Sequence, residues 1–409
     1  MTYFPKTKIE FADSAAVDAF GRLRVSSPYS LFDNKQNIDD RTLFWSTKLT
    51  LGATASYSLN RASTTLTAST TAGSIAIRQS RSRANYQSGK SLLFNATAVF
   101  GPSVTGIRKR CGLFDDQNGI FLEQSGSFTN MVMRSSVSGT PIDQIISQSL
   151  WNVDKLNGSG SSGYILDLNK IQIFHVDLEW LGTGRVRTGF FLSGSVVYAH
   201  EWNSSNVSSS VYMSTPNLPV RYEVQNISSA TTGTLEQICC TIASEGGYEA
   251  LGTLRTIDRG ITTLSGVTSV GLMPILSTRL KTGYTGSVVN FTFANVLCTS
   301  NATKGFRWAL VLNPTLGQPD NASWLSTTSG SLEYDVSRNS TNILAGGIIL
   351  ASGYGTNSVD AAERKLESNF TLGSSIDGVT DQVVLAAQVI DSPILTEQFV
   401  GSLSWRELL

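Results

Sequence analysis

From about Ser46 onward the chain reads as short runs rich in Thr, Val, Ile, Tyr and Phe, broken at strand-plus-turn intervals by Gly, Ser and Asn. KLTLGATASYSL, TTAGSIAIRQ, SLLFNATAVFG, GIFLEQSG and FTNMVMRSS each predict a strand. The loop NGSGSSG (residues 157–163) then leads into IQIFHVDLEW, GRVRTGFFLSG and SVVYAHEW, three strand-like runs joined by short Gly-containing turns. One segment breaks the series. PIDQIISQSLWNV starts at Pro141 and sets Ile145, Ile146, Leu150 and Trp151 at spacings that predict one or two amphipathic helical turns.

A second series of strand-like runs, GLMPILSTRL, SVVNFTFANVLC, FRWALVLNP, SLEYDV, GGIILASGY, VVLAAQVI and the closing SLSWREL, begins near Gly266. No repeat of 20 to 50 residues is present, which argues against solenoids and propellers. Before the first series, residues 1–45 carry Phe4, Phe11, Phe20, Leu31 and Phe32 at no steady period. Such a segment has little core of its own and suits an extended arm, docked on a neighbouring subunit or on its own chain, with a disordered leader as the plainer alternative. The expected organisation is all-β: an arm over 1–45, an antiparallel β-sandwich over 46–265 and a second β-sandwich over 266–409.

At 409 residues the chain can bury a substantial core without crosslinks or metals. Lys+Arg equals Asp+Glu at 31 each, so no general electrostatic grip on nucleic acid is expected. Cys111, Cys239, Cys240 and Cys298 form no CxxC pair and read as small buried residues in a reducing setting. MTYFPKTKIEF has neither a basic nor an apolar leader region, and no apolar run approaches the length of a membrane span; neither a signal peptide nor membrane insertion is expected.

Catalytic patterns are sparse. ANYQSGKS (residues 84–91) satisfies a relaxed phosphate-loop pattern, but LLFNATAVF follows it as a strand where that motif needs a helix, so Lys90 reads as a turn lysine. Asp177 and Glu179 in HVDLEW have the two-residue spacing by which some sandwich glycosidases hold an acid and a nucleophile on one strand face. Cross-strand partnership with Arg185 and Arg187 explains the same pair without chemistry. His175 and His200, the only histidines, are too few for a histidine metal site or a convincing triad and suit structural roles, although hairpins could bring them together. RQSRSR (78–83) and IRKRC (107–111) read as strand edges protected by positive charge. Trp202 and Trp324 are candidate glycan contacts by ring stacking, against a plainer role in core packing. No cofactor and no metal are implied, and the reading on residues alone is of a protein that is not an enzyme.

Several stretches resemble a family of virion structural proteins of tailed bacteriophages, often marine ones. They are VDAFGRLRVSSPYSLFDNKQ (17–36), WNVDKLNGSG (151–160), IQIFHVDLEWLGTGRVRTGF (171–190), VYMSTPNLPVRYEVQN (211–226), RWALVLNPTLG (307–317) and SLSWREL (402–408). The resemblance implies a component of the virion, assembled in the host cytoplasm, with a position in tail, neck, fibre base or capsid surface left open. The aromatic hairpins of residues 174–202 look like the centre of a jelly-roll sheet of the concanavalin-like type. Candidate assembly contacts are Phe20, Gly21, Arg22, Leu23, Arg24, Leu31 and Phe32 in the arm. The expected partners are copies of this chain, as a trimer or higher cyclic oligomer, and other virion proteins. The alternative function is a lectin-like host-recognition module that binds surface glycan.

Overall fold

The computed structural model describes residues 17–19, 23–25, 27–228, 230–300, 305–356, 362–366, 370–390 and 396–408. The chain divides into two compact units, residues 1–80 with 84–249 and residues 81–83 with 250–409. Both are built from antiparallel strands, and among the described residues the only helical turns are the short 3-10 segments Leu59–Arg61 and Gln148–Leu150.

Strands of the first unit are β1 Tyr29–Lys35, β2 Trp45–Thr50, β3 Thr54–Ser58, β4 Ser63–Ala68, β5 Ile75–Ser80, β6 Ser91–Val99, β7 Ile107–Phe114 and β8 Gly119–Ser125, followed by β9 Phe128–Ser135, β10 Ile142–Ser147, β11 Gln172–Leu178, β12 Arg185–Leu192, β13 Ser195–Asn203, β14 Val220–Asn226 and β15 Gly233–Glu245. One sheet runs β13-β12-β11-β6-β15-β4-β3 with β1 added beside β15, and the other runs β10-β9-β8-β7-β14-β5-β2. Neighbours distant in sequence, such as β6 beside β15 and β7 beside β14, make this a sandwich with crossing connections and not a simple meander. Alternation along each strand sends one set of side chains inward. Phe94, Phe174 and Phe190 from the first sheet meet Cys111, Ile120, Met131 and Tyr222 from the second in one core cluster.

Three expectations change here. Residues 142–147 form no helix: they are β10, paired residue by residue with β9 from Ile142↔Ser135 to Ser147↔Asn130. Three β-branched isoleucines and a ready hydrogen-bonding neighbour outweigh the helical spacing. The basic run 107–111 lies in β7, an interior strand of its sheet, where Lys109 and Arg110 are buried. Arg110 is neutralised by Glu123 at 2.8 Å and Glu223 at 3.3 Å, and the Lys109 ammonium donates to the carbonyl oxygens of Phe100 and Pro102. The arm, finally, becomes part of the fold well before residue 45. β1 pairs with β15 from Tyr29↔Ser244 to Lys35↔Cys239, and Leu31 and Phe32 pack against the core. Phe20, Gly21 and Arg22 lie outside the described residues.

Among the described residues the second unit has a five-stranded, a six-stranded and a small two-stranded sheet, with Phe399 of the first and Phe306 of the second 5.1 Å apart between ring centres. It starts at Ala250 rather than near Gly266. Thr253–Asp258 pairs with the terminal strand Glu397–Leu408, so its hydrogen bonds belong to the C-terminal sandwich.

Candidate functional site

β11 positions the most unusual group of side chains in the first unit. Phe174, Val176 and Leu178 join the core, so His175, Asp177 and the following Glu179 project from the opposite face of the sheet. All three are nonetheless buried, at 2%, 0% and 3% exposure. Burial of two carboxyls and an imidazole on an outer sheet face requires a cover and partners.

Arg187 supplies the first partner. The β11/β12 register sets it opposite Asp177, and its Nη2 lies 2.5 Å from Asp177 Oδ2 while its guanidinium stacks 4.3 Å from the centre of the Tyr198 ring. The cover comes from residues 17–19 and 23–25. Arg24 Nη2 donates to the same Asp177 oxygen at 2.6 Å, and its Nε donates to the Val17 carbonyl at 3.1 Å. Arg187 donates to the Val17 carbonyl at 2.8 Å and Arg185 to that of Ala19 at 3.1 Å. Leu23, bridged to Val17, is 45% exposed and Arg24 lies against the sheet, so this part of the arm docks on its own chain.

His175 Nδ1 lies 2.7 Å from Asn95 Oδ1, an acceptor, so Nδ1 carries the proton and Nε2 is left as a lone pair. Burial, together with the Arg24 and Arg187 charges, pushes its pKa down to about 3. His200 sits on the core side beside Trp202, ring centres 4.5 Å apart, with its pKa lowered to about 4 by burial. The two histidines therefore do not converge.

Glu179 sits where β11 ends. Its N–H donates to the Arg185 carbonyl at 3.1 Å and its carbonyl accepts from the Tyr212 hydroxyl. Gly184 permits this tight return, because a Cβ there would lie 2.6 Å from the Glu179 carbonyl oxygen. Burial, then the charges of Asp18 and Asp177, raise the Glu179 carboxyl to about 8. It lines a cleft of about 550 Å3 with Ala19, Leu181, Thr183, Arg185, Asn203 and Ser204 among its walls. A carboxyl that is neutral at pH 7 donates a hydrogen bond or a proton, as no ionised carboxylate can.

The remaining candidates fall elsewhere. Trp202 is a core residue at 7% exposure, so its ring faces are closed to a sugar. Its strand pairing explains this: the register shifts at Thr188/Gly189, sending Tyr198 to the polar face and Trp202 inward. Half-buried Trp324 has the Arg279 guanidinium 4.0 Å and that of Arg338 5.3 Å from its ring centre, so its π surface is already engaged. Sequence reading missed Arg24 as a partner of Asp177, and it missed the cleft, whose Asn203 and Ser204 lie at the end of the aromatic strand β13 and just after it with no motif to mark them.

No family model and no curated protein matches the chain. Among solved structures it is similar to a legume lectin-like domain from Entamoeba histolytica at 8% identity, over 53% of this chain and 98% of that one, with a TM-score of 0.33. It is also similar to a glycosyl hydrolase family protein from Mycobacterium fortuitum (8% identity, 52% and 99% covered, TM-score 0.37) and to a beta-1,3-glucanase from Mycobacterium marinum (12%, 53% and 100%, TM-score 0.35). The expectation of a protein that is not an enzyme is corrected. Scarcity of histidines does not exclude chemistry by a buried carboxyl such as Glu179, which burial pushes up to about 8.

Proposed function

We propose that the chain is a glycan-binding β-sandwich protein that takes a saccharide into the Glu179 cleft, and that on a phage particle it serves host recognition. The observation that carries this reading is a cleft of about 550 Å3 walled by the Glu179 carboxyl and by hydroxyl, amide and guanidinium side chains, in which burial pushes the carboxyl up to about 8. Sugars are recognised by such mixed donors and acceptors, and a neutral carboxyl adds a strong donor without placing a charge against the ligand. The virion setting is supported by the motif resemblance, in which two of the quoted stretches, 17–36 and 171–190, touch through Arg24 and Asp177.

A second reading, cleavage of the bound glycan, is favoured by Glu179 being poised as a proton donor on the strand face that also carries Asp177. Purified full-length protein on an array of host and microbial glycans, with release of reducing ends measured in parallel, separates the two. Glu179→Gln keeps a hydrogen-bond donor but has no proton to give. Binding retained by E179Q with no turnover by either form supports recognition; turnover that stops in E179Q supports cleavage. No glycan bound and none cleaved removes both.

A further inference from the structure

Three atoms in a row on the polar face of β11 and just beyond it, His175 Nε2, Asp177 Oδ1 and Glu179 Oε1, are buried and lack a hydrogen-bond partner among the described residues. A buried polar group left unsatisfied is destabilising, so three in succession on one face point to a polar partner that belongs there. Their chemistry is mixed: an imidazole lone pair, a carboxylate oxygen and a carboxyl that is neutral at pH 7. A hydroxyl, which donates and accepts from the same atom, serves all three. With the covering segment and its Arg24 moved away, Arg187 still balances Asp177, so a neutral ligand leaves no unpaired charge on this face.

The segment now lying there behaves as a stand-in. Carbonyl oxygens of Val17 and Ala19 take hydrogen bonds from Arg187 and Arg185, as a ligand's oxygens would, yet leave the row of three unsatisfied. Ala19 and Glu179 also line the cleft, so the cleft opens at the edge of this segment.

Resting on the glycan-binding reading, we infer that the sheet face carrying His175, Asp177 and Arg187 is an extension of the cleft that binds a neutral oligosaccharide, and that residues 17–19 and 23–25 occupy it when no saccharide is present. Binding then requires displacement of the segment, and apparent affinity is reduced by the fraction of molecules in which the face is open.

The test is made on the full chain with Arg24→Ala, which removes the segment's ion pairs to Asp177 and Glu245 while leaving the Arg187–Asp177 pair in place, and Arg24→Lys as a charge-keeping control, both checked for folding by circular dichroism melts. Carbethoxylation of His175 by diethylpyrocarbonate reports opening, with core-side His200 as the internal reference, and an array of neutral oligosaccharides reports binding. Expected for R24A is a reactive His175 and affinity raised by about tenfold, with R24K close to the natural chain in both. The inference is overturned if His175 stays protected and binding is unchanged in R24A, or if His175 becomes reactive while binding does not rise. Binding that depends on Glu179 but ignores Arg24 overturns the extension alone and leaves the cleft reading standing; no binding by any form overturns both.

Discussion

Arg24 and Asp177 stand 153 positions apart in the chain and meet at 2.6 Å on the polar face of β11, on a carboxylate oxygen that Arg187 also holds at 2.5 Å. The two arginines are not equivalent. Arg187 is 1% exposed at its side chain, whereas Arg24 is 15% exposed and sits on the covering segment. Removal of Arg187 leaves a fully buried carboxylate with only a partly exposed partner, so Arg187→Ala should cost about 3–5 kcal/mol. Arg24→Ala leaves the inner pair intact and should cost about 1–2 kcal/mol. Urea unfolding of the two variants gives the order directly, and equal losses would show that the segment is as fixed as the sheet.

Truncation separates the covering segment from the fold. A chain starting at Pro28 keeps β1 but loses Arg24 and the cover over Asp177, and should unfold cooperatively with a midpoint only a few degrees below that of the full chain. A chain starting at Asn37 loses the pairing of β1 with β15 and the packing of Leu31 and Phe32. It should melt several degrees below the chain starting at Pro28, by the relation between lost stability and midpoint for a domain of this size. Identical melting curves would show that β1 contributes nothing to the sandwich.

The tryptophans make opposite predictions. Trp202→Ala opens a cavity in the core and should cost about 3–5 kcal/mol. Trp324→Ala, which gives up stacking with Arg279 and Arg338 at a half-buried position, should cost about 0.5–2 kcal/mol. Neither should change glycan binding once folding is accounted for, and a specific loss in either would return that ring to the site.

Much of this arrangement was legible in the residues. Period-two alternation gave the strands, and the two-residue spacing of Asp177 and Glu179 with Arg187 on the next strand gave the cross-strand pair. What escaped was set by non-local pairing. PIDQIISQSLWNV has helical spacing, but β9 offers hydrogen bonds along its whole length. IRKRC looks like a solvated edge until β8 and β14 supply the carboxylates that bury Arg110. Trp202 turns inward because one irregularity in the β12/β13 register reverses which positions face the core, a feature that local composition does not encode. Arg24 could not be matched with Asp177 because nothing in a single sequence joins positions so far apart.

Glu179 also ties stability to pH. Its folded-state pKa of about 8 lies above the ordinary value of 4.5, so between these limits the folded chain holds a proton that the unfolded chain has released. Stability from this group is therefore full below pH 4.5 and declines as pH rises toward 8. His175 and His200, held down at about 3 and about 4, act in the opposite sense and withdraw stability as pH falls below 6.5. Comparing the natural chain with E179Q cancels the histidines: the difference in unfolding free energy should grow in favour of E179Q from pH 5 to pH 8.

The most direct test of the account is the affinity of the best array glycan, measured by calorimetry across pH 6 to 9.5 for the natural chain and for E179Q. A neutral Glu179 donating to the sugar predicts similar affinities at pH 6, with affinity falling through about pH 8 in the natural chain and flat in E179Q. Parallel pH profiles for the two proteins, or an affinity indifferent to residue 179, would contradict it.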